Sequence, residues 1–268
     1  MRLILIPPYL NAVVKVDFQL HELLANLKKT GALEGVEVDI DEGHFIDWAS
    51  EIRGEEFLAN VTTGVIKKVR EHSESGKYDA IVLTGAIDPG FVAGRVVSKI
   101  PVTGAVHSAL HVASLIGERF SEIHATAPSS LIVRQLAQRY GLSHKLASVR
   151  PCGHSTTEMY KFINKYKDNK AERVKVPEVK KIIDDITAQG IAAIEKDRAD
   201  SLILSCEPVQ TFEDDVRQRL DEAGYHEIPI ITMLSAGVEM AKAMVNMKLL
   251  QTVRAYPSAA LKAQPEYW

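Results

Sequence analysis

Eight short aliphatic runs, apolar on both faces, alternate along this chain with longer amphipathic stretches, and this alternation restricts the fold more than any other feature of the sequence. Strands are predicted over 2–6, 36–40, 79–84, 101–105, 122–126, 145–149, 201–205 and 229–233. Helices are predicted near 16–30, 55–72, 91–98, 108–117, 129–140, 176–195, 211–223 and 236–250. Strands that expect helices on both faces belong in parallel sheets, so the fold class is α/β, with mostly parallel sheets flanked by helices. At 268 residues, with 46% hydrophobic and 25% charged, the chain suits one large or two small globular domains.

Two segments repeat one plan. "DAIVLTG" at 79–85, a helix, and "IPVTGAVHSALHVA" at 100–113 parallel "DSLILSC" at 200–206, a helix, and "IPIITMLSAGVEMA" at 228–241. An internal duplication accounts for the match in order and the near match in spacing, although any βαβ unit gives part of it. Under the duplication, Gly85 and Cys206 end equivalent strands. Ligands of open α/β sheets bind beyond the carboxyl ends of the strands, which places both positions at a cleft between two halves.

The formal net charge of -3 and the absence of a Lys/Arg cluster argue against nucleic acid and against an anionic membrane surface, leaving small molecules as the expected partners. The apolar run at the start stops at Pro7 and Pro8, too short for a signal or a membrane span, so the expected location is the cytoplasm. Cys152 and Cys206 are the only cysteines and are expected to be reduced thiols. The polar segment 160–180 reads as a solvated excursion, with a lid over the cleft as the alternative. The tail 256–268 reads as a peripheral end.

A thiol at the end of a buried strand can carry a proton to or from carbon. The helix expected just after Cys206 would lower the thiol pKa from its ordinary ~8.5, whereas a buried cysteine is also the commonest kind of inert core thiol. Cys152, with His154 two residues on but no further ligand spacing, reads as a loop thiol. His107 and His111 share a helix face without the Glu of a His-Glu-x-x-His motif, so no metal is expected. Hydroxyls near strand ends, at Thr84, Thr126, Ser129, Ser130 and Ser205, suit a bound carboxylate or a helix cap equally. No phosphate-binding loop, dinucleotide fingerprint or nucleophile elbow is present, and a reaction without a cofactor is expected.

"LILIPPY", "DAIVLTGAIDPG", "PVTGAVHSALHVASLIGERFSEIHATA", "LILSCEPVQTFEDDVRQRL" and "IPIITMLSAG" together resemble the aspartate/glutamate/hydantoin racemase superfamily over most of the chain. The middle and the Asp-Pro-Gly look most like hydantoin racemases; "IPP", "HATAPSS" and "LSC" look more like the arylmalonate decarboxylase and maleate isomerase branches. The resemblance implies two pseudo-symmetric α/β domains, taken as 1–104 plus 234–268 and 105–233, with the active site between them; a homo-oligomer is a further expectation. It also implies proton transfer at a carbon next to a carboxylate or carbonyl by two cysteines on opposite faces.

Only the second cysteine position is filled, by Cys206; the first falls on Gly85. The expected activity is therefore a racemase-like proton transfer with Cys206 as a single catalytic thiol, on an amino acid, hydantoin or related acid. Decarboxylation followed by one-face protonation is the rival, and a non-catalytic binding protein the third reading. Pro8, Thr84, Gly85, Ala86, Thr126, Ser129, Ser205 and Glu207 are the expected substrate contacts. Asp88 is the candidate second base.

Overall fold

The computed structural model describes residues 1–8, 17–44 and 55–257. The predicted tail from residue 258 onward and the first residue of the helix predicted near 16–30 lie outside them. All eight predicted strands form: β1 (Arg2–Ile6), β2 (Glu37–Ile40), β3 (Ala80–Leu83), β4 (Val102–Gly104), β5 (Phe120–His124), β6 (Leu146–Pro151), β7 (Ser201–Leu204) and β8 (Ile230–Thr232). They build two all-parallel sheets, ordered β2-β1-β3-β4 and β6-β5-β7-β8. β3, β5 and β7 are buried along their length, and β1 beyond its first residue, as a parallel sheet covered on both faces requires.

The two sheets repeat each other down to single hydrogen bonds. The Asp79 N–H donates to the Arg2 carbonyl at 2.8 Å, and the Asp200 N–H to the Arg119 carbonyl at 2.7 Å. At the other strand end, the Thr84 N–H donates to the Ile6 carbonyl at 3.1 Å and the Ser205 N–H to the Ile123 carbonyl at 3.0 Å. Gly85 and Cys206 therefore leave their sheets at matching places.

The helices are α1 (Asp17–Lys29), α2 (Glu55–Glu74), α3 (Phe91–Val97), α4 (Ala105–Ile116), α5 (Ala127–Arg139), α6 (Thr156–Lys165), α7 (Lys170–Arg173), α8 (Pro177–Asp197), α9 (Glu207–Gln210), α10 (Glu213–Glu222) and α11 (Met233–Asn246). Two of them change sides. α4 follows the first sheet but packs on β7 and β8, and α11 follows the second sheet but packs on β3 and β4; the two also pack on each other. A division at 104/105 and 233/234 would be drawn along this exchange.

Both exchanged helices begin three residues before their predicted starts, because their first turns are capped from elsewhere in the chain. The Asp88 carboxylate accepts the Val106 N–H at 2.9 Å and the His107 N–H at 2.7 Å. The Gln210 side-chain carbonyl accepts the Leu234 N–H at 2.9 Å. Neither cap lies next to its helix in sequence, so local patterning does not reveal it.

The segment 160–180 is not a solvated excursion. Ser155 caps α6 by accepting the Glu158 N–H at 3.1 Å, and Met159, Tyr160 and Ile163 are buried, Tyr160 against the apolar core of the first sheet. Arg173 is fully buried and forks onto Glu22 of α1, with 2.9 and 2.8 Å contacts. Burial pushes the Glu22 carboxyl up, but Arg173 and Lys170 more than reverse it and hold it below its ordinary value. This pair ties a segment of the second half to the first. Removing one member of a buried pair strands the other, so Arg173→Ala is expected to lower unfolding free energy by about 3 kcal/mol. Cutting the exposed Arg2–Asp39 pair with Arg2→Ala is expected to change much less; urea midpoints of the two variants make the comparison.

Candidate active site at the paired strand ends

Two residues after β3 and β7 the backbone turns to a positive φ. Gly85 has φ 103°, a conformation open to glycine. Cys206 has φ 68° and ψ 143°, close to the region that only glycine occupies freely, and holding a side chain there costs about 1–3 kcal/mol. A β-carbon at position 85 would stand 3.0 Å from the Pro8 side chain and 3.5 Å from that of Pro89. Pro8 therefore backs Gly85 directly, and this wall carries no thiol and gains no amide hydrogen from Pro8.

The Cys206 side has both. Its thiol is buried, its Sγ lies 3.4 Å from Nε2 and 3.7 Å from Nδ1 of His124, and the Ala125 backbone N–H hydrogen-bonds to it. His124 ends β5 and is itself buried. Cys152 joins the same core: its thiol reaches the Ala125 carbonyl at 3.6 Å, and burial pushes its pKa up to about 11. It is a loop thiol, as expected, directly after β6, and it is buried there as a neutral packing group.

A short helix, α9, begins directly after Cys206, ahead of the one predicted from 211, but the expected lowering of the thiol pKa does not follow. Burial raises it well above its ordinary value, and the carboxylates of Glu207 and Glu122 add to the effect, outweighing the Ala125 amide. One four-residue turn of helix supplies too small a field to offset desolvation of a fully enclosed sulfur. The thiol is neutral, and with an imidazole in contact the pair holds one transferable proton.

The other predicted residues divide. Ser205 is buried beside Cys206, and its hydroxyl donates to the Met233 sulfur at 3.5 Å. Glu207 is buried next to the thiol, and Thr84 is buried with its hydroxyl unpartnered among the described residues. Ala86 packs on the cores of the second half, bringing the Gly85 turn against that half. Thr126 is half-buried at the start of α5 and caps it with no side-chain bond; the side chain of Ser129 lies outside the described ones. Asp88, the candidate second base, is engaged: besides capping α4 it accepts the Tyr140 hydroxyl at 2.9 Å, and burial raises its pKa to about 6 against these donors. His107 and His111 stack at 4.2 Å within a cluster including Phe91 and Tyr140, and burial drives the His107 pKa down to about 3. Among the described residues no group of His, Cys, Asp or Glu is arranged to hold a metal. No described helix is long and apolar enough to cross a membrane.

Sequence reasoning missed His124 and Glu122. Both lie in "FSEIHA", where polar side chains on one face of an otherwise enclosed strand are the available signal. Glu122 is completely buried, and burial pushes its carboxyl up to about 8, with Asp88 adding to the rise and Ser205 opposing it.

Residues 22–241 match the family model described as Asp/Glu/Hydantoin racemase. The chain belongs to this family. A hydantoin racemase from Rhizobium meliloti is 29% identical over 200 residues, covering 75% of this chain and 73% of that protein. One from Pseudomonas sp. (strain NS671) is 27% identical over 184 residues, covering 69% of this chain but 65% of the relative's own length. Among solved structures, an allantoin racemase from Pseudomonas fluorescens superposes with a TM-score of 0.75 at 19% identity, over 96% of this chain and 97% of that one. A glycine-to-cysteine variant of arylmalonate decarboxylase superposes at 0.58 and 15% identity, over 92% and 94%. These likenesses establish the shared two-domain α/β fold.

Two stability measurements follow from the geometry. Replacing buried alanine by glycine ordinarily lowers stability, but at position 206 the backbone reverses the preference, so Cys206→Gly is expected to melt at or above Cys206→Ala. The Glu122 carboxyl keeps its proton in the folded chain up to about pH 8, whereas the unfolded chain loses it near the ordinary 4.5. The folded state binds more protons between those values, so this group's contribution to stability declines as pH rises through the window. Wild-type melting temperature is expected to fall more steeply from pH 5 to 8 than that of Glu122→Gln.

Proposed function

We propose that this chain catalyses proton exchange at the carbon next to a carbonyl of a hydantoin-like ring, with Cys206 as the proton-transferring thiol and His124 as its partner. The observation that carries the reading is the Cys206–His124 contact at 3.4 Å on a backbone held in a costly conformation. Such a pair delivers a proton when it rests on sulfur and accepts one when it rests on the imidazole. Gly85, backed by Pro8, is assigned to the opposite wall, where the absence of a side chain adds no bulk against the ring. Thr84, Ala86, Thr126, Ser129 and Ser205 are the candidate substrate contacts. Acid–base groups suffice for such a reaction, and no cofactor is invoked.

Membership of the racemase family and the relatives named hydantoin racemase support this substrate class. So does charge. The Glu207 carboxylate acting on the thiol opposes a dianionic substrate more than a neutral ring, whose carbon acid needs no flanking carboxylate.

Decarboxylation is the second reading, favoured by one observation: the thiol is neutral and therefore a proton donor, and no thiol faces it at Gly85. That arrangement suits protonation of one face of an enediolate left by carbon dioxide. Solvent deuterium incorporation and carbon dioxide release, measured across D- and L-5-substituted hydantoins, amino acids and arylmalonates, separate the two. Exchange with hydantoins is expected, falling at least about 100-fold in Cys206→Ala. Carbon dioxide release without hydantoin exchange would transfer the assignment to decarboxylation. Ligand binding without either would leave a binding protein.

A further inference from the structure

We propose that the buried carboxyl of Glu122 is the internal proton store of the Cys206–His124 pair, returning a proton to the cysteine sulfur through the Ser205 hydroxyl. Nothing in the acid–base scheme above uses Glu122, yet it sits at the centre of β5, fully enclosed, with neither carboxyl oxygen hydrogen-bonded in ordinary geometry among the described residues. A carboxyl in that setting is costly, and such groups concentrate at sites of proton chemistry.

Three placements point the same way. Alternation along β5 puts Glu122 and His124 on one face, and His124 touches the thiol. The Ser205 hydroxyl, near enough to Glu122 to favour its ionised form, directly precedes Cys206 and is otherwise engaged only with a thioether, a weak acceptor that leaves it free to turn. Glu122 in turn acts on the thiol, alongside Glu207. From the first half, the charged group that acts on Glu122 is Asp88, which Tyr140 and the start of α4 hold in place; no described lysine or arginine is among the groups that shift it.

The proton balance is simple. After the thiol protonates a carbanion, Cys206 is left as thiolate. The Glu122 carboxyl gives its proton to the Ser205 oxygen while the Ser205 hydroxyl proton passes to sulfur, leaving carboxylate, hydroxyl and thiol. Glu122 recovers its proton from solvent or from the next substrate. A carboxyl that holds its proton to about pH 8 is protonated, and so able to give that proton up, at neutral pH.

This rests on Cys206 being the proton-transferring group, so the test begins without a substrate. Infrared spectra of wild type at pH 7 are expected to show a protonated carboxyl band that titrates near pH 8 and is missing in Glu122→Gln. Wild type with no such band overturns the proposal. Exchange at C5 of L-5-benzylhydantoin in deuterium oxide is then followed against pH. Wild type is expected to show an alkaline limb near 8; Glu122→Gln should lose the limb and slow at least about tenfold with KM little changed, Ser205→Ala should slow likewise, and Glu122→Asp should recover part of the rate. A folded Glu122→Gln with wild-type rate and limb overturns the proposal. If wild type exchanges no hydantoin, the proposed function fails instead, and the store is decided in the infrared by the S–H stretch of Cys206, identified by its loss in Cys206→Ala: coupling of the carboxyl to the thiol predicts that Glu122→Gln shifts this band, and an unshifted band overturns the proposal.

Discussion

Each strand-end loop is fastened by a side chain to the first turn of a helix that has crossed to the other half. Asp88, three residues after Gly85, holds the start of α4; Gln210, four residues after Cys206, holds the start of α11. Because α4 covers the second sheet and α11 the first, neither half can shift without moving a loop of the site. The buried amide groups at those helix starts need partners, and the caps that satisfy them also fix where position 85 stands relative to position 206. Asp88 serves this purpose at close quarters: a β-carbon on Gly104 would come within 2.8 Å of its carboxylate.

The fold was legible in the sequence to a large degree because parallel strands buried on both faces leave an unbroken aliphatic signature, and all eight were readable at 2–6 through 229–233. The starts of α4 and α11 were not, since their caps arrive from more than fifteen residues away. α6 had a local signal that was passed over: Ser155 and Glu158 stand in the spacing of a capping box ahead of apolar positions. Lysines on its outer side masked an inward face.

Within the site, Gly85 and Cys206 could be paired from the repeat alone, since strand, helix and Ile-Pro recur in order. His124 and Glu122 could not be assigned, because a strand's sequence does not say whether a polar side chain meets solvent, a partner or nothing. The direction of the thiol pKa failed for the same reason. A helix following a cysteine is visible in one dimension, while the enclosure of the sulfur and the approach of two carboxylates arise only when strands from distant parts of the chain lie side by side.

Gly85 and Cys206 both hold a positive φ at matching strand ends, 103° and 68°, a region that favours glycine at both places. Selection on stability alone would carry position 206 the way of position 85, and no reshaping of the loop would be needed to get there. The thiol is thus a residue under continuous opposition from its own backbone. Descendants of this chain relieved of their chemistry should lose it first, well before the exchanged helices or the sheets begin to drift.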